Sequence, residues 1–483
     1  MNIYVTLLNK YKSISEPVRA SLWFTFCSVI QKGIILLSTP IFTRIMTTDQ
    51  YGMYTVYQSW YSIITILATL NLFAGVFNNG MTKWPEKRKE YTSALQGLST
   101  TATGIIFLIY IFNMSFWNKV LGLSTLMMLS IFLEVLFVPA FNFWSTGERY
   151  DYKYRKLVII TVVMALLSPI IGIVTVLSTN YKAEAMILSY IIVQVCIGLF
   201  FYIYNIRKGK IFFSKDYWKF ALSFNIPLVP HYLSQTVLNQ VDRIMINNII
   251  GSDKAAIYSV AYTFSMMFTI LTNAINSSFI PYTYKSLKKQ NYKELKKNAS
   301  ILVLLVGVAC IIAMGLGAEF IRIFAAPKYY EARWVVIPVA ESLLFLFIYP
   351  LFCNVEFYFE KTKFIMVASS GAAIINILLN YLFIPKFGYI AAAYTTLVCY
   401  ILLTIAHYVA YKKLLKQFEI RVELYNIRLI LIVVVISLIF MTIMIMIYDL
   451  IILRLTVISV IVLIMGIKIK KIILKILQIR SEE

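Results

Sequence analysis

The chain predicts an all-α, polytopic membrane protein of about 14 transmembrane helices, and three observations carry that expectation. Of its 483 residues 60% are hydrophobic and only 14% charged, which excludes a soluble globular chain. Apolar runs of roughly 20 residues, the length that crosses a bilayer, recur from end to end. Basic residues gather in every second connection between those runs.

Taken in order, the expected crossings are 21–43, 52–76, 93–113, 120–145, 157–178, 184–206, 220–249, 255–280, 299–317, 333–354, 364–384, 388–410, 427–448 and 450–467. With the N-terminus on the cytoplasmic side, 34 of the 45 Lys and Arg residues fall in cytoplasmic segments and 9 outside, leaving Lys32 and Arg243 within spans. So lopsided a split supports an even count and cytoplasmic placement of both termini. The first apolar run is too long for a cleaved leader and is flanked by Lys10, Lys12 and Arg19, so the chain is expected to begin as a mature membrane protein. The net charge of +23 sits in short loops, so no nucleic-acid partner is expected. Cys27, Cys196, Cys310, Cys353 and Cys399 all lie in apolar runs without a CxxC pair, implying neither disulfide nor metal.

The seventh run is unusual. Pro227, Pro230 and His231 interrupt it, and Asp242-Arg243 lie towards its far end. Proline removes a backbone donor and clashes with the preceding turn, so a broken helix is expected. Such a helix survives at membrane depth only against protein or a water-filled cavity. The same region holds an internal repeat: residues 47–67 align without gaps on 251–271, with Asp49/Asp253, Tyr54/Tyr258, Val56/Val260, Thr65/Thr269, Ile66/Ile270 and Leu67/Leu271 identical. An Arg-Ile-Met triplet precedes both copies, at 44–46 and 243–245. The offset of 204 residues covers six crossings, an even number, so the copies run parallel. The expected organisation is an N-lobe (1–206), a basic linker (207–219), a C-lobe (220–411) related to the first by a pseudo-two-fold axis, and a C-terminal pair of helices with a basic tail (412–483). In that tail Lys468, Lys471 and Lys475 recur at helical spacing among Ile and Leu, which suits an anionic membrane surface.

Ionisable groups inside a membrane are expensive, about 2.5–3.5 kcal/mol on insertion scales, and usually face a cavity or a partner. Lys32, with Gln31 beside it, is the clearest candidate for binding an anionic substrate; its alternative is a structural pair with an acid such as Glu134. Arg44 and Arg243 close the outer parts of the corresponding helices in the two lobes. Arg44 also suits interfacial anchoring, and Arg243 a structural pair with Asp242. Glu134, Asp242, Glu341 and His231 are the groups able to exchange a proton or bind sodium, although a lone intramembrane His is more often a packed, hydrogen-bonded residue. His407 falls near the inner interface and reads as a loop-edge residue. Pro40, Pro227 and Pro230 are the hinge candidates. No Gly-rich loop with Lys-Ser/Thr is present, so ATP does not drive the process directly. No catalytic pairing, metal spacing or resident cofactor is apparent, so the chain is expected to be no enzyme, with Na+ or H+ as the coupling ion.

The segments STPIFTRIMTTDQYGMYTVYQS (38–59) and FNIPLVPHYLSQTVLNQVDRIMINNIIGSDKAAIYSVAY (224–262) resemble the polysaccharide flippases, the Wzx-type branch of the multidrug/oligosaccharidyl-lipid/polysaccharide exporter superfamily. The resemblance rests on a proline-bearing helix, an Asp-Arg, an acidic turn and a Tyr-containing helix start, here Pro227, Asp242, Arg243, Asp253 and Tyr258. Thr43 stands where an acid would match Asp242, a departure from symmetry. The resemblance implies translocation of undecaprenyl-diphosphate-linked oligosaccharide repeat units from inner to outer leaflet of a bacterial cytoplasmic membrane by alternating access. Membrane lipids, a polysaccharide polymerase and chain-length machinery are the implied partners, in an O-antigen or capsule pathway. A flippase for a lipid-linked peptidoglycan precursor and an ion-coupled small-molecule exporter are alternatives in the same fold. A membrane polymerase or glycosyltransferase is the alternative from another class.

Overall fold

The computed structural model describes residues 16–461 and 463. The N-terminal Lys10 and Lys12 and the tail from Lys468 to Arg480 lie outside the described residues. In chain order the helices are α1 (Glu16–Ile45), α2 (Thr48–Thr69), α3 (Gly75–Lys83), α4 (Arg88–Phe112), α5 (Met114–Leu121), α6 (Thr125–Tyr150), α7 (Arg155–Leu177), α8 (Lys182–Gly209), α9 (Lys215–Asn225), α10 (Val229–Ile249), α11 (Ser252–Lys288), α12 (Tyr292–Phe324), α13 (Arg333–Tyr358), α14 (Thr362–Phe387), α15 (Ile390–Gln417), α16 (Ile427–Ile447) and α17 (Ile451–Ile461). Ten helices among the described residues are long and apolar enough to cross a membrane. The helices α2, α10 and α11 have the length, but polar residues interrupt their apolar composition.

Two departures from the expected spans have local causes. The apolar run 52–76 is not one helix: α2 stops at Thr69 because Leu70 and Asn71 take left-handed conformations, φ 52° and 51°, and the chain restarts as α3. The run 220–249 breaks where its prolines predict. Helix α9 ends at Asn225, Ile226–Leu228 forms a single 3-10 turn containing Pro227, and α10 begins with Pro230 in its first turn. The two breaks meet, because the Asn225 side-chain amide donates to the carbonyl of Leu70. Pro40, by contrast, lies within a continuous α1.

The helices pack into two compact units. The first comprises Met1–Ser259, Phe324–Ala326 and Met366–Tyr389; the second comprises Val260–Ile323, Pro327–Ile365 and Ile390–Glu483. Within the first unit, α2 lies along α10 and the N-terminal turn of α11. Thr47 and Gln50 form a capping box that starts α2, and Asp49 accepts a bond from the Ser252 hydroxyl. Gly52 makes the approach possible, since a Cβ there would overlap the Ser252 backbone. In the second unit the core is built from Leu343, Phe347, Leu351 and Phe352 of α13 against Tyr411, Tyr425 and Val433.

Buried polar pairs tie the second unit together. Arg454 is 1% exposed and bonds both Glu319 and the Tyr448 carbonyl, instead of lying in an open outer loop. Asp449 bonds Arg333 at 2.9 Å, so both clamps fix the α16–α17 turn. His407 is likewise no loop-edge residue: it is 1% exposed and sits 2.7 Å from a Glu356 carboxylate oxygen, with Tyr349 stacked on its ring. Hydropathy locates the end of an apolar run, not which way a side chain near that end points.

The close approach at Gly52 sets a test. Gly52→Ala is expected to lower the unfolding midpoint of the purified protein in detergent, the overpacking costing about 1–3 kcal/mol. Gly33→Ala, where an added Cβ meets nothing within 4 Å, should leave the midpoint unchanged or raise it.

Candidate functional site

Polar side chains of the first unit form a connected interior, and α10 supplies most of it. Along one face of α10, His231 Nδ1 and Ser369 Oγ share a hydrogen bond of 2.9 Å, Ser234 and Ser370 share one of 3.0 Å, and Asp242 accepts from Asn380 at 2.7 Å. The pairs climb α10 and α14 together, so the two helices run in the same direction, zipped by polar groups at three levels. Asp242 also accepts a bond from Tyr258 at the start of α11, and Asn380 donates to Asn376.

The adjacent face of α10 turns to α2. Gln240 Oε1 accepts from Arg243 at 2.8 Å and from Ser59 of α2 at 3.2 Å. Arg243, 5% exposed, also donates to the Asn239 carbonyl at 2.7 Å. Successive residues on a helix are turned by about 100°, so Asp242 and Arg243 serve different neighbours despite adjacency. Arg44 makes the same local bond as Arg243, to the carbonyl four residues back, Pro40, at 2.8 Å. Arg44 is exposed where Arg243 is buried. The repeat thus preserves the backbone bond and changes its surroundings.

Glu134 of α6 is 1% exposed and receives Tyr57 at 3.1 Å, with Tyr61 as a further hydroxyl donor. Among the described residues no Lys or Arg bonds to it. Lys32 is therefore not its partner. Among the described residues Lys32 makes no hydrogen bond or ion pair, and its side chain is exposed although it lies thirteen residues from either end of the Arg19–Ile45 span. Gln31, one position before, is half-buried.

The surroundings of Lys32 show what sequence reasoning missed. Ser21, Thr25, Ser28, Lys32, Thr39 and Thr43 recur at three- and four-residue steps, with one gap at Leu36, and so share one face of α1. The hydroxyls of Thr25, Ser28, Thr39 and Thr43 donate to α1 carbonyls. Thr39 and Thr43 are buried, while Thr25 is exposed and Ser28 half-buried, so these two keep lone pairs open as acceptors. The signal was available as a polar stripe, but averaging hydropathy over a whole span conceals it.

Glu341 belongs to the second unit. It is fully buried, accepts from Ser437 of α16 and keeps its second oxygen, Oε1, without a hydrogen-bond partner among the described residues. Among the described residues no cluster of His, Cys, Asp and Glu is arranged to hold a metal.

These features define a multi-pass integral membrane protein with buried polar networks between its helices. Comparison with known proteins agrees. Residues 18–287 match the family described as "Polysaccharide biosynthesis protein", and residues 227–382 match the MatE family. The chain belongs to the polysaccharide biosynthesis protein family. It is 21% identical over 407 residues to a "Putative O-antigen transporter" of Shigella flexneri, covering 78% of this chain and 93% of that one. It is 25% identical over 160 residues to "Lsg locus putative protein 1" of Haemophilus influenzae, a match that spans 33% of this chain and only 40% of the relative. The fold is also that of the lipid II flippase MurJ in its inward closed conformation, with a TM-score of 0.71 at 16% identity over 94% of this chain and 100% of that one. The chain thus shares its fold with solved flippase and transporter structures.

The zipper between α10 and α14 yields a test. Asn380→Leu strips a donor from buried Asp242 and is expected to cost about 1–3 kcal/mol of stability in thermal melts. Combining it with Asp242→Asn should cost less than the sum of the single changes, by at least about 0.5 kcal/mol, because the two share one bond.

Proposed function

We infer that this protein moves polyprenyl-diphosphate-linked oligosaccharide repeat units across a bacterial cytoplasmic membrane by alternating access of two lobes, coupled to H+ or Na+. The observation that carries this reading is Lys32: a cation at the midpoint of a membrane-crossing helix, exposed, without a protein partner among the described residues, on a face lined by hydroxyls. Facing acyl chains, such a group would be strongly disfavoured. Facing water, it offers a fixed charge to a diphosphate, while the accessible Ser21, Thr25 and Ser28 oxygens accept bonds from sugar hydroxyls. Gln31 beside it is a further donor, and Arg44 stands about 18 Å further along α1. Arg243 contributes positive potential from within its Gln240–Ser59 network, because its guanidinium is already committed to protein acceptors.

Coupling falls to a carboxyl that can change its proton or ion. Glu134 suits this best among the candidates, since its recorded donors are neutral hydroxyls and no fixed cation holds it ionised. Asp242 and His231 are each engaged by α14, so a change at either would be felt in the α10–α14 register. Glu341 retains an unpartnered oxygen and offers a second carboxyl in the other unit. Pro227 and Pro230 mark the flexible joint, between α9 and α10.

Lys32→Ala is expected to abolish export of the glycan without changing protein abundance. Lys386→Ala, an exposed lysine at the opposite end of the bundle from the basic loops, should leave export intact. Lys182 is unsuitable as a control because its ammonium donates to the Ile45 carbonyl that ends α1. Full export by the Lys32 variant would remove the substrate role. Glu134→Gln should retain substrate binding while net transport loses its dependence on the ion gradient, measured in proteoliposomes; an unchanged gradient response would move the coupling role elsewhere.

A further inference from the structure

Two adjoining cavities open on the basic side of the first unit, where α4 begins and α6 and α8 end. One, of about 360 Å³, is lined by Arg88, Lys89, Lys153 and Lys208 with Trp144 and Tyr204. The other, of about 530 Å³, adds Arg19, Arg155 and Lys156 and shares Trp144, Glu148, Lys153 and Tyr204 with the first. The acid Asp151 is already neutralised, one carboxylate oxygen taken by Arg88 at 3.0 Å and the other by Lys153 at 2.9 Å. Arg88 is fixed further by the Met81 carbonyl and the face of Tyr150. Lys89 and Lys208 make no hydrogen bond or ion pair among the described residues, and Lys208 lies over the Tyr204 ring.

A lipid-facing track leads into this cleft. On α8, Ile192, Cys196, Phe200, Tyr204 and Lys208 are all exposed and stand four residues apart. They form an i, i+4 row that rises about 24 Å and winds about 160° round α8, its length close to the reach of an acyl chain plus its glycerol. The row is apolar until Tyr204 and ends on the Lys208 cation. Trp144, stacked on Phe201 at 4.2 Å, stands beside it, an aromatic at the depth where headgroups begin. Glu148 lines both cavities. Its carboxylate would repel a doubly charged phosphomonoester and accept a bond from a headgroup hydroxyl.

We propose that this cleft binds an anionic phospholipid of the phosphatidylglycerol type. The phosphodiester lies between Lys89 and Lys208 near the Arg88–Asp151–Lys153 cluster, the glycerol headgroup turns to Glu148, and one chain runs along the α8 row. The site rests on the membrane-spanning fold and not on what the protein carries, so its failure would leave the transport reading untouched.

The test titrates the full chain, purified in a neutral detergent, with phosphatidylglycerol and follows the unfolding midpoint and lipid adducts in native mass spectra. Phosphatidylglycerol should raise the midpoint and remain bound, while phosphatidylcholine and inorganic phosphate should not. Lys89→Gln/Lys208→Gln should weaken the apparent affinity on the order of tenfold. Both positions are exposed, so the same midpoint in phosphatidylcholine is expected for wild type and variant. Lys386→Gln should titrate like wild type. Equal affinity of wild type and the double variant would overturn the proposal. So would an equal or stronger response to phosphatidic acid, inorganic phosphate or a polyprenyl diphosphate.

Discussion

In hydrocarbon a polar side chain must find its partner within the protein, and α10 is where that constraint presses hardest. It carries His231, Ser234, Gln235, Asn239, Gln240, Asp242 and Arg243 directly after a proline break. One face can bond only if α14 lies beside it with Ser369, Ser370 and Asn380 at matching heights, and the other only if α2 presents Ser59. The broken start of the helix is held as well, because Asn225 caps the carbonyl left where α2 unwinds. A polar helix therefore dictates the placement of its neighbours in a way that Leu and Ile, which pack against anything of the right shape, do not.

Set against this, the ionisable groups sort by whether their partners are complete. Arg454, His407 and Asp242 each bond a partner on another helix, although Arg454 Nε has no acceptor among the described residues, and they hold helices together. Breaking such a buried pair strands the remaining partner, which is why these residues read as architecture. Lys32 stands apart: Thr25 and Ser28 share its face of α1, but among the described residues no acid pairs with it. Glu134 is intermediate, enclosed by tyrosine hydroxyls that can serve it in either protonation state.

Much of this was legible in the chain. Pro227 and Pro230 announce the break because proline acts through its own covalent geometry, and the 47–67/251–271 repeat places two helix starts that do begin at Thr48 and Ser252. Side-chain partners were not legible. Tyr57 and Glu134 lie 77 residues apart, and nothing local sets the rotation of α2 against α6. The unwinding at Leu70 and Asn71 carries no glycine or proline to mark it; the conformation is imposed by surroundings that include Asn225, far along the chain. His407 and Arg454 were misplaced for a related reason, since each lies near the end of an apolar run and is drawn inward by an acid on another helix.

The helix contacts also speak to topology independently of charge. Within the first unit, Gln96 and Thr100 of α4 meet Asn205 and Tyr202 of α8 in descending order, so those helices are antiparallel. The zipper from His231/Ser369 to Asp242/Asn380 ascends on both helices, so α10 and α14 are parallel. In the second unit, Phe345 with Thr404 and Glu356 with His407 make α13 and α15 parallel. Each relation is the one demanded when the third and sixth crossings oppose, and when the seventh and eleventh, and the tenth and twelfth, agree. Loop charge and buried polar register arise from unrelated physics, one from interfacial potential and one from hydrogen bonding in oil. Their agreement ties the relative directions of these three helix pairs to the residues that hold them in place.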